Sequence, residues 1–396
     1  MAGILKQEVP TRSLLLDRFK NCRQQTEKIC APLEVEDFVP QPIPEVSPPK
    51  WHLAHSTWFF EQFLLIPFNS DYKVYDQDFA YLFNSYYNNA GERVLRPNRG
   101  LMSRPPVSQV MAYREYVTNA VLEFAEKGEL SSQIMELIEL GINHEQQHQE
   151  LLVYDIKYIL GNQPTFPTYG DHFSNKPEDK NNEWVEVSEG IKQIGFSGDG
   201  FSYDNELGKH RVFLAPYSIS KNLVSNGEYI QFIESGGYTN FNLWHSDGWE
   251  FINEKGIKAP LYWHKIEGKW HQYTFNGLKE VNPDLPVQHL SYYEAFAFAE
   301  WKGMRLPTEF EWEVAADQFS WGQLWEWTSS AYLPYPGFQK APGALGEYNG
   351  KFMVNQQVLR GASTATAKNH SRKTYRNFFA PSSQWIFSGI RLAKSL

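Results

Sequence analysis

The sequence predicts an α+β protein in two parts, a four-helix bundle followed by a mixed domain of short strands and helices. Three observations carry this. Segments with apolar residues at helical spacing fill the first part, each bounded by a cap or a stop. From Tyr169 the chain turns polar, then breaks into short elements with frequent Gly, Pro and Asn turns and many aromatics. Its 396 residues exceed one ordinary core, so more than one domain is expected. The expected boundaries are 1–168 for the helical domain, 169–182 for a linker and 183–396 for the mixed domain.

In chain order, Thr11 is positioned to cap a first helix carrying Leu14, Leu15 and Phe19. A Pro-rich connection runs from Pro40 to Pro49. Ser47 stands as a cap before Pro48, and a second helix is expected from Pro48 to Leu65. Its inward stripe is Trp51, His55, Trp58 and Leu65, spaced by three, four or seven. The stretch from Asp71 to Pro106 is irregular and too long for a mere connection. A third helix is expected from Ser108 to Lys127, ending before Gly128. Ser131 or Ser132 caps the fourth, which Gly161, Asn162 and Pro164 stop; Leu137, Gly141, His144, His148, Leu151 and Ile159 share one face. Four helices with one long crossover suggest a bundle. In the second part, Val212–Ile219 and Trp270–Phe275 read as strands, with helices near Ser225–Glu234 and Tyr292–Trp301.

Composition removes several classes of function. The net charge is −9 and no basic cluster is visible, which argues against a nucleic-acid partner. The most apolar run, Trp58 to Phe68, is broken by Glu61, Gln62 and Pro67 and is too short to span a bilayer. No signal peptide is visible, so a cytoplasmic protein is expected. Cys22 and Cys30 are the two cysteines, which excludes a disulfide scaffold.

The chemical signal is His144-Glu-Gln-Gln-His148, two histidines one turn apart on an inward helix face. It is a literal His-Glu-x-x-His match, so a metal hydrolase with Glu145 as base is one reading. A second inward segment, Trp51-His52-Leu53-Ala54-His55, offers a third imidazole from another helix, either His52 or His55. Three neutral imidazoles with open positions suit Zn(II), Fe(II) or Cu(II), and spacing does not choose among them.

Longer motifs narrow the field. Pro48 to Glu61 (Pro-Pro-Lys-Trp-His-Leu-Ala-His-Ser-Thr-Trp-Phe-Phe-Glu), followed by His144 to Glu150, resembles the DinB-like domain of iron(II)-dependent sulfoxide synthases of ergothioneine biosynthesis. Tyr203-Asp-Asn-Glu206, Gly236-Gly-Tyr238, Gly303 to Glu309 and Leu359 to Ser363 resemble the formylglycine-generating-enzyme-like domain, a variant of the C-type lectin fold. The resemblance implies Fe(II) held by His55, His144 and His148, with His52 as the alternative to His55. It implies that Gln147 and the loop Arg376-Asn377-Phe378-Phe379 meet a histidine betaine substrate, with Asn377 the expected contact. Tyr86 and Tyr87 match paired tyrosines beside the iron in some members and are expected to be catalytic. Arg93, Arg96 and Arg99 are suited to bind a substrate carboxylate. The expected partners are small molecules: dioxygen, histidine betaine and a thiol, with free cysteine favoured. The alternatives are an ovothiol-type or selenium-using coupling enzyme, a formylglycine-forming oxidase, and a non-catalytic binding module.

Overall fold

The computed structural model describes residues 11–85, 87, 91–128, 130–178, 183–340 and 349–396. Two compact units form, the first reaching to Pro164 and the second built from Thr165–Ser197, Ser202–Lys340 and Asn349–Leu396. The first is helical; the second is rich in short sheets.

The first unit packs four long helices among the described residues: α1 (Arg12–Cys30), α2 (Pro49–Phe60), α3 (Val107–Lys127) and α4 (Ser132–Gly161). Ser131 caps α4 by accepting a hydrogen bond from the Ile134 backbone N–H. Thr11 occupies the cap position of α1 but its side chain makes no capping bond. The start of α2 differs from expectation, because Pro48 is the cap residue and Ser47 lies outside the helix. The Ser47 backbone N–H and hydroxyl instead meet Asp155 and Arg99. All of α2 is buried, not one stripe of it, so no amphipathic period marks its faces. The helix continues as a π-turn, Glu61–Leu65, and one further turn, Ile66–Phe68. Buried Glu61 accepts hydrogen bonds from the Tyr72 and Tyr113 hydroxyls at 2.6 and 2.7 Å. Close approach of α4 to α2 needs Gly141, where a Cβ would lie 2.4 Å from the Phe60 ring. The irregular crossover holds single turns at Phe79–Leu82 and Arg96–Leu101.

One buried polar network touches all four helices. Glu145 of α4 pairs with Arg23 of α1 at 2.9 Å and with Arg114 of α3, and accepts the Thr26 hydroxyl at 2.6 Å. Arg23 also donates to Thr57 of α2 at 2.8 Å.

In the second unit, β1 (Trp184–Val187), β4 (Tyr217–Leu223) and β12 (Arg391–Ser395) form an antiparallel sheet centred on β4. A ribbon joins β2 (Gly190–Ile194) to β3 (His210–Leu214), and β5 (Trp263–Ile266), β6 (Lys269–Thr274) and β7 (Gly277–Glu280) form a meander. The strand expected over Val212–Ile219 is split between β3 and β4 at Ala215-Pro216, because Pro216 supplies no ladder donor. A fourth sheet runs β10 (Asn377–Phe379), β9 (Gln357–Gly361), β8 (Trp325–Ala331), β11 (Ser388–Gly389). Four helices accompany these sheets: α5 (Asn226–Glu234), α6 (Ser246–Lys255), α7 (Tyr292–Trp301) and α8 (Glu309–Ala315). Ser225, Ser291 and Thr308 close capping boxes at α5, α7 and α8.

The recurring motifs of this unit are frame residues. Glu309 accepts from Arg360 and Arg376, Glu206 from Arg372 and Thr374, and Glu326 from Arg391 and the Trp312 indole. The polar stretch that reads as a linker is held to the second unit. Tyr169 and Gly170 donate to the Phe275 carbonyl, Lys176 donates its backbone N–H to Gln323, and Glu178 accepts from Gln323.

Candidate metal centre

Two helices build the site. His144 and His148 stand one turn apart on α4, and His55 faces them from α2. One ring nitrogen from each lies within 4.8 Å of the others, and all three side chains are buried. The ring centroids are 4.6 to 5.0 Å apart.

Neighbouring groups settle which nitrogens can coordinate. His55 Nδ1 lies 2.6 Å from the Phe83 carbonyl oxygen, which can only accept, so Nδ1 carries the hydrogen. His55 Nε2 is then a lone pair, buried and without a hydrogen-bond partner. An inward lone pair facing two further imidazoles is the arrangement a divalent metal ion satisfies. His148 Nδ1 lies 3.0 Å from His52 Nδ1, and His52 Nε2 lies 2.8 Å from Asp155 Oδ2. His52, the alternative ligand, therefore stands behind His148 with both its nitrogens engaged.

Burial keeps the three histidines neutral. It lowers His144 to about 3, although Glu145 acts the other way. Burial also pushes His55 and His148 well below the usual imidazole value, and the neighbouring His144 lowers both further. Neutral imidazoles are the form that binds metal.

Glu145 points elsewhere. Burial alone would raise its carboxyl, but Arg114, Arg23 and the Thr26 hydroxyl outweigh it and hold the group at about 2. A carboxylate committed to two guanidinium groups is not a general base for water on the histidine face. Glu145 is thus a structural residue of the bundle, and the literal His-Glu-x-x-His match brings no base to the histidine face.

Aromatic rings wall the site. Trp51 stacks on His55 at 4.5 Å and 12°, and Phe59 stacks on His144 at 4.6 Å and 24°. Tyr87 is buried 6.5 Å from His55 and 5.6 Å from Trp58, ring to ring. Asn84 fixes its backbone on both sides. Tyr86 lies outside the described residues. Gln147 is half-buried on α4 beside His148.

The three crossover arginines separate. Arg93 is half-buried, and Arg96 is exposed and bonded to the Glu45 carbonyl. Arg99 is buried over Trp51, 3.4 Å from the ring centroid, and donates to Ser47 and Ser85. In the second unit, Phe378 stacks on Tyr332 at 4.1 Å and Phe379 meets Trp385 edge-on at 5.7 Å. Asn377 accepts the Phe378 backbone N–H through its side-chain oxygen. Arg376, expected in the substrate-binding loop, is held by protein partners. It is buried, paired with Glu309 at 2.8 and 2.9 Å, and donates to the Asn205 and Leu333 carbonyls. The contacts of His52 with His148 and Asp155 were not read from the sequence, which offered His52 as the alternative to His55 and did not single out Asp155.

Comparison with known proteins agrees with both units. Residues 170–322 and 320–396 match the sulfatase-modifying factor enzyme 1-like domain, and residues 18–152 match the DinB superfamily. The chain is 28% identical to the hercynine oxygenase of Mycolicibacterium smegmatis, over 96% of this chain and 99% of that protein. The hercynine oxygenase of Mycolicibacterium thermoresistibile is 28% identical over 64% of this chain and 67% of its own length. That of Mycobacterium tuberculosis is 32% identical over 48% of this chain and 56% of its own length.

Proposed function

This chain belongs to the sulfatase-modifying factor enzyme 1-like family, with a DinB-type bundle ahead of that domain, and on that premise we propose that it is an iron(II)-dependent sulfoxide synthase of the ergothioneine type. Its substrates are dioxygen, hercynine (the betaine of histidine) and a thiol, for which free cysteine is our choice. The reaction balances as thiol plus imidazole C–H plus dioxygen giving the C–S-bonded sulfoxide and one water. One sulfur–carbon bond and one sulfur–oxygen bond form, and dioxygen takes up the four electrons released.

The observation that carries this reading is the His55, His144 and His148 triad with Glu145 turned away from it. Iron(II) bound there would supply a redox-active centre with open coordination positions. The protein's own groups do the rest. Phe83 holds the hydrogen of His55 on Nδ1, so that Nε2 faces inward. Trp51 and Phe59 pack on the ligand rings and exclude water. Tyr87, with Tyr86 as the alternative, is our candidate proton donor at its phenol oxygen. Gln147 in the first unit and Asn377, Phe378 and Phe379 in the second are our candidates for recognising hercynine and the thiol. For the substrate carboxylate our candidates remain Arg93, Arg96 and Arg99, the three arginines of the crossover.

Formylglycine formation draws on cysteines in the domain that performs it. This chain has Cys22 and Cys30, both buried in the first unit. The deciding experiment loads the chain anaerobically with iron(II), then adds oxygen, cysteine and hercynine, and follows products by mass spectrometry. A sulfoxide of the summed mass is expected. Iron-loaded protein that consumes no hercynine under these conditions would remove the proposal.

A further inference from the structure

We propose that Asp155 and His52 form a positioning relay behind His148, which fixes the ring and tautomer of that ligand and thereby sets the strength of the metal site. The inference rests on the reading of the triad as a metal centre and assigns work to two residues outside it.

The chain of contacts has one consistent direction. Asp155 Oδ2 accepts the Ser47 backbone N–H at 2.8 Å and lies 2.8 Å from His52 Nε2. A carboxylate accepts, so His52 carries its hydrogen on Nε2 and presents a lone pair at Nδ1. The 3.0 Å contact between His52 Nδ1 and His148 Nδ1 is then a hydrogen bond only if His148 donates. Donation from Nδ1 leaves His148 Nε2 as the coordinating lone pair. His55 reaches the same tautomer through a single backbone carbonyl, that of Phe83. The two ligands therefore differ in what stands behind them: a neutral carbonyl for His55, and an imidazole backed by a carboxylate for His148. The second arrangement makes His148 the stronger electron donor of the two.

The relay also locks geometry. His52 shares α2 with His55, and Asp155 shares α4 with His148, so the two bonds clamp together the helices that carry the ligands. His52 is held edge-on by Trp51 at 5.5 Å, which itself stacks on His55. All members of the relay are buried, so water does not compete for these bonds.

A merely structural role would alter folding stability and leave metal affinity per folded molecule unchanged, which makes the two separable. The experiment titrates the full-length metal-free chain with Co(II), read by its visible absorption, and with Fe(II) under anaerobic conditions. His52→Phe and Asp155→Ala break the relay; each should weaken metal binding about 10- to 100-fold and shift the Co(II) bands. His52→Gln can still accept from His148 and donate to Asp155, and should bind within a few-fold of the parent. Asp155→Asn keeps an acceptor and loses the charge, and should fall between the two. Urea unfolding of each metal-free variant identifies the folded fraction. Parental affinity and an unshifted Co(II) spectrum in folded His52→Phe overturn the inference, as does equal weakening by His52→Gln and His52→Phe. If His52→Phe does not fold, parental affinity in Asp155→Asn overturns it instead. A parental chain that binds neither metal would count against the metal centre itself, a separate result.

Discussion

Glu145 and Arg23 form a fully buried ion pair, Oε2 to Nη1 at 2.9 Å, that joins α4 to α1. Its position in the sequence, directly after a candidate ligand, suggests a catalytic base, whereas its bonds make it the centre of the bundle's polar network. A helix places consecutive residues about 100° apart, so His144 and Glu145 can serve different faces.

The first prediction separates those roles. Glu145→Gln removes the charge that compensates two buried guanidinium groups and should destabilise the chain by about 3–5 kcal/mol. Metal bound per folded molecule should stay at the parental level. Urea denaturation and metal analysis on the folded fraction check both halves. Loss of metal without loss of stability would return Glu145 to the site.

Acid should weaken the metal-free chain in two stages. Buried His144 has its value lowered from 6.5 to about 3, so the unfolded chain takes up that proton first and stability falls below about pH 6.5. Glu145 is lowered from 4.5 to about 2, so its contribution is present above 4.5 and is lost as pH falls toward 2. That contribution is on the order of 3 kcal/mol. Urea midpoints measured between pH 7 and 3 should decline throughout, and Glu145→Gln should lessen the slope below about pH 4.5, where His144 still contributes, and leave it unchanged above. A midpoint constant over the whole interval would contradict the assignment.

Removing two ligands should remove the metal. His144→Ala with His148→Ala leaves His55 as the one remaining member of the triad. Elemental analysis after anaerobic iron loading should fall from one iron per chain to background. Retention of tight iron in the double variant would place the metal elsewhere.

Tyr87 lies 6.5 Å from His55 and 5.6 Å from Trp58, ring to ring, and is the proposed proton donor. Tyr87→Phe keeps that packing and deletes the hydroxyl. If the phenol supplies a proton in the transition state, kcat should drop roughly 100-fold with little change in hercynine binding. The Tyr86→Phe, Tyr87→Phe pair should also divert oxygen toward oxidising the thiol alone. An unchanged rate and product ratio in the pair would exclude both tyrosines.

How far the sequence could be read depended on whether a signal was local. Ser131 announces its helix because capping acts within four residues, and the helices near Ser225–Glu234 and Tyr292–Trp301 were read from pattern, whereas the helix Glu309–Ala315 was not read although Thr308 caps it. The pairing of His144 with His148 was legible from spacing on an inward helix face, whereas His55 rather than His52 as the third imidazole came from the family resemblance. The full burial of α2 was not, since a helix surrounded on every side carries no stripe to read. Nor was Arg376 legible as a frame residue. Its partner Glu309 lies 67 positions away, and nothing local distinguishes a guanidinium bound to protein from one offered to a ligand. Asp155 and His52 fail for the same reason, being separated by 103 positions until the helices meet.

The last prediction concerns the thiol. Phe378 stacks on Tyr332 and lies 5.8 Å from Phe352, and Phe379 packs on Trp385, so the strand that begins at Asn377 carries rings, not carboxylates, at the two positions after the proposed hercynine contact. γ-Glutamylcysteine carries an additional ammonium and carboxylate. An ammonium brought against such rings without a carboxylate partner loses hydration worth a few kcal/mol, and stacking on the ring faces recovers only ~0.5–2 kcal/mol of it. Free cysteine imposes no such demand at that place. Steady-state kinetics at saturating hercynine should therefore give a kcat/KM for cysteine at least about 10-fold above that for the dipeptide, the factor that 1.4 kcal/mol produces. Phe379→Asp should narrow the gap by supplying a carboxylate for the dipeptide's ammonium group. A higher kcat/KM for the dipeptide in the parental chain would mean that another acid, such as Glu92 in the crossover, meets its ammonium group.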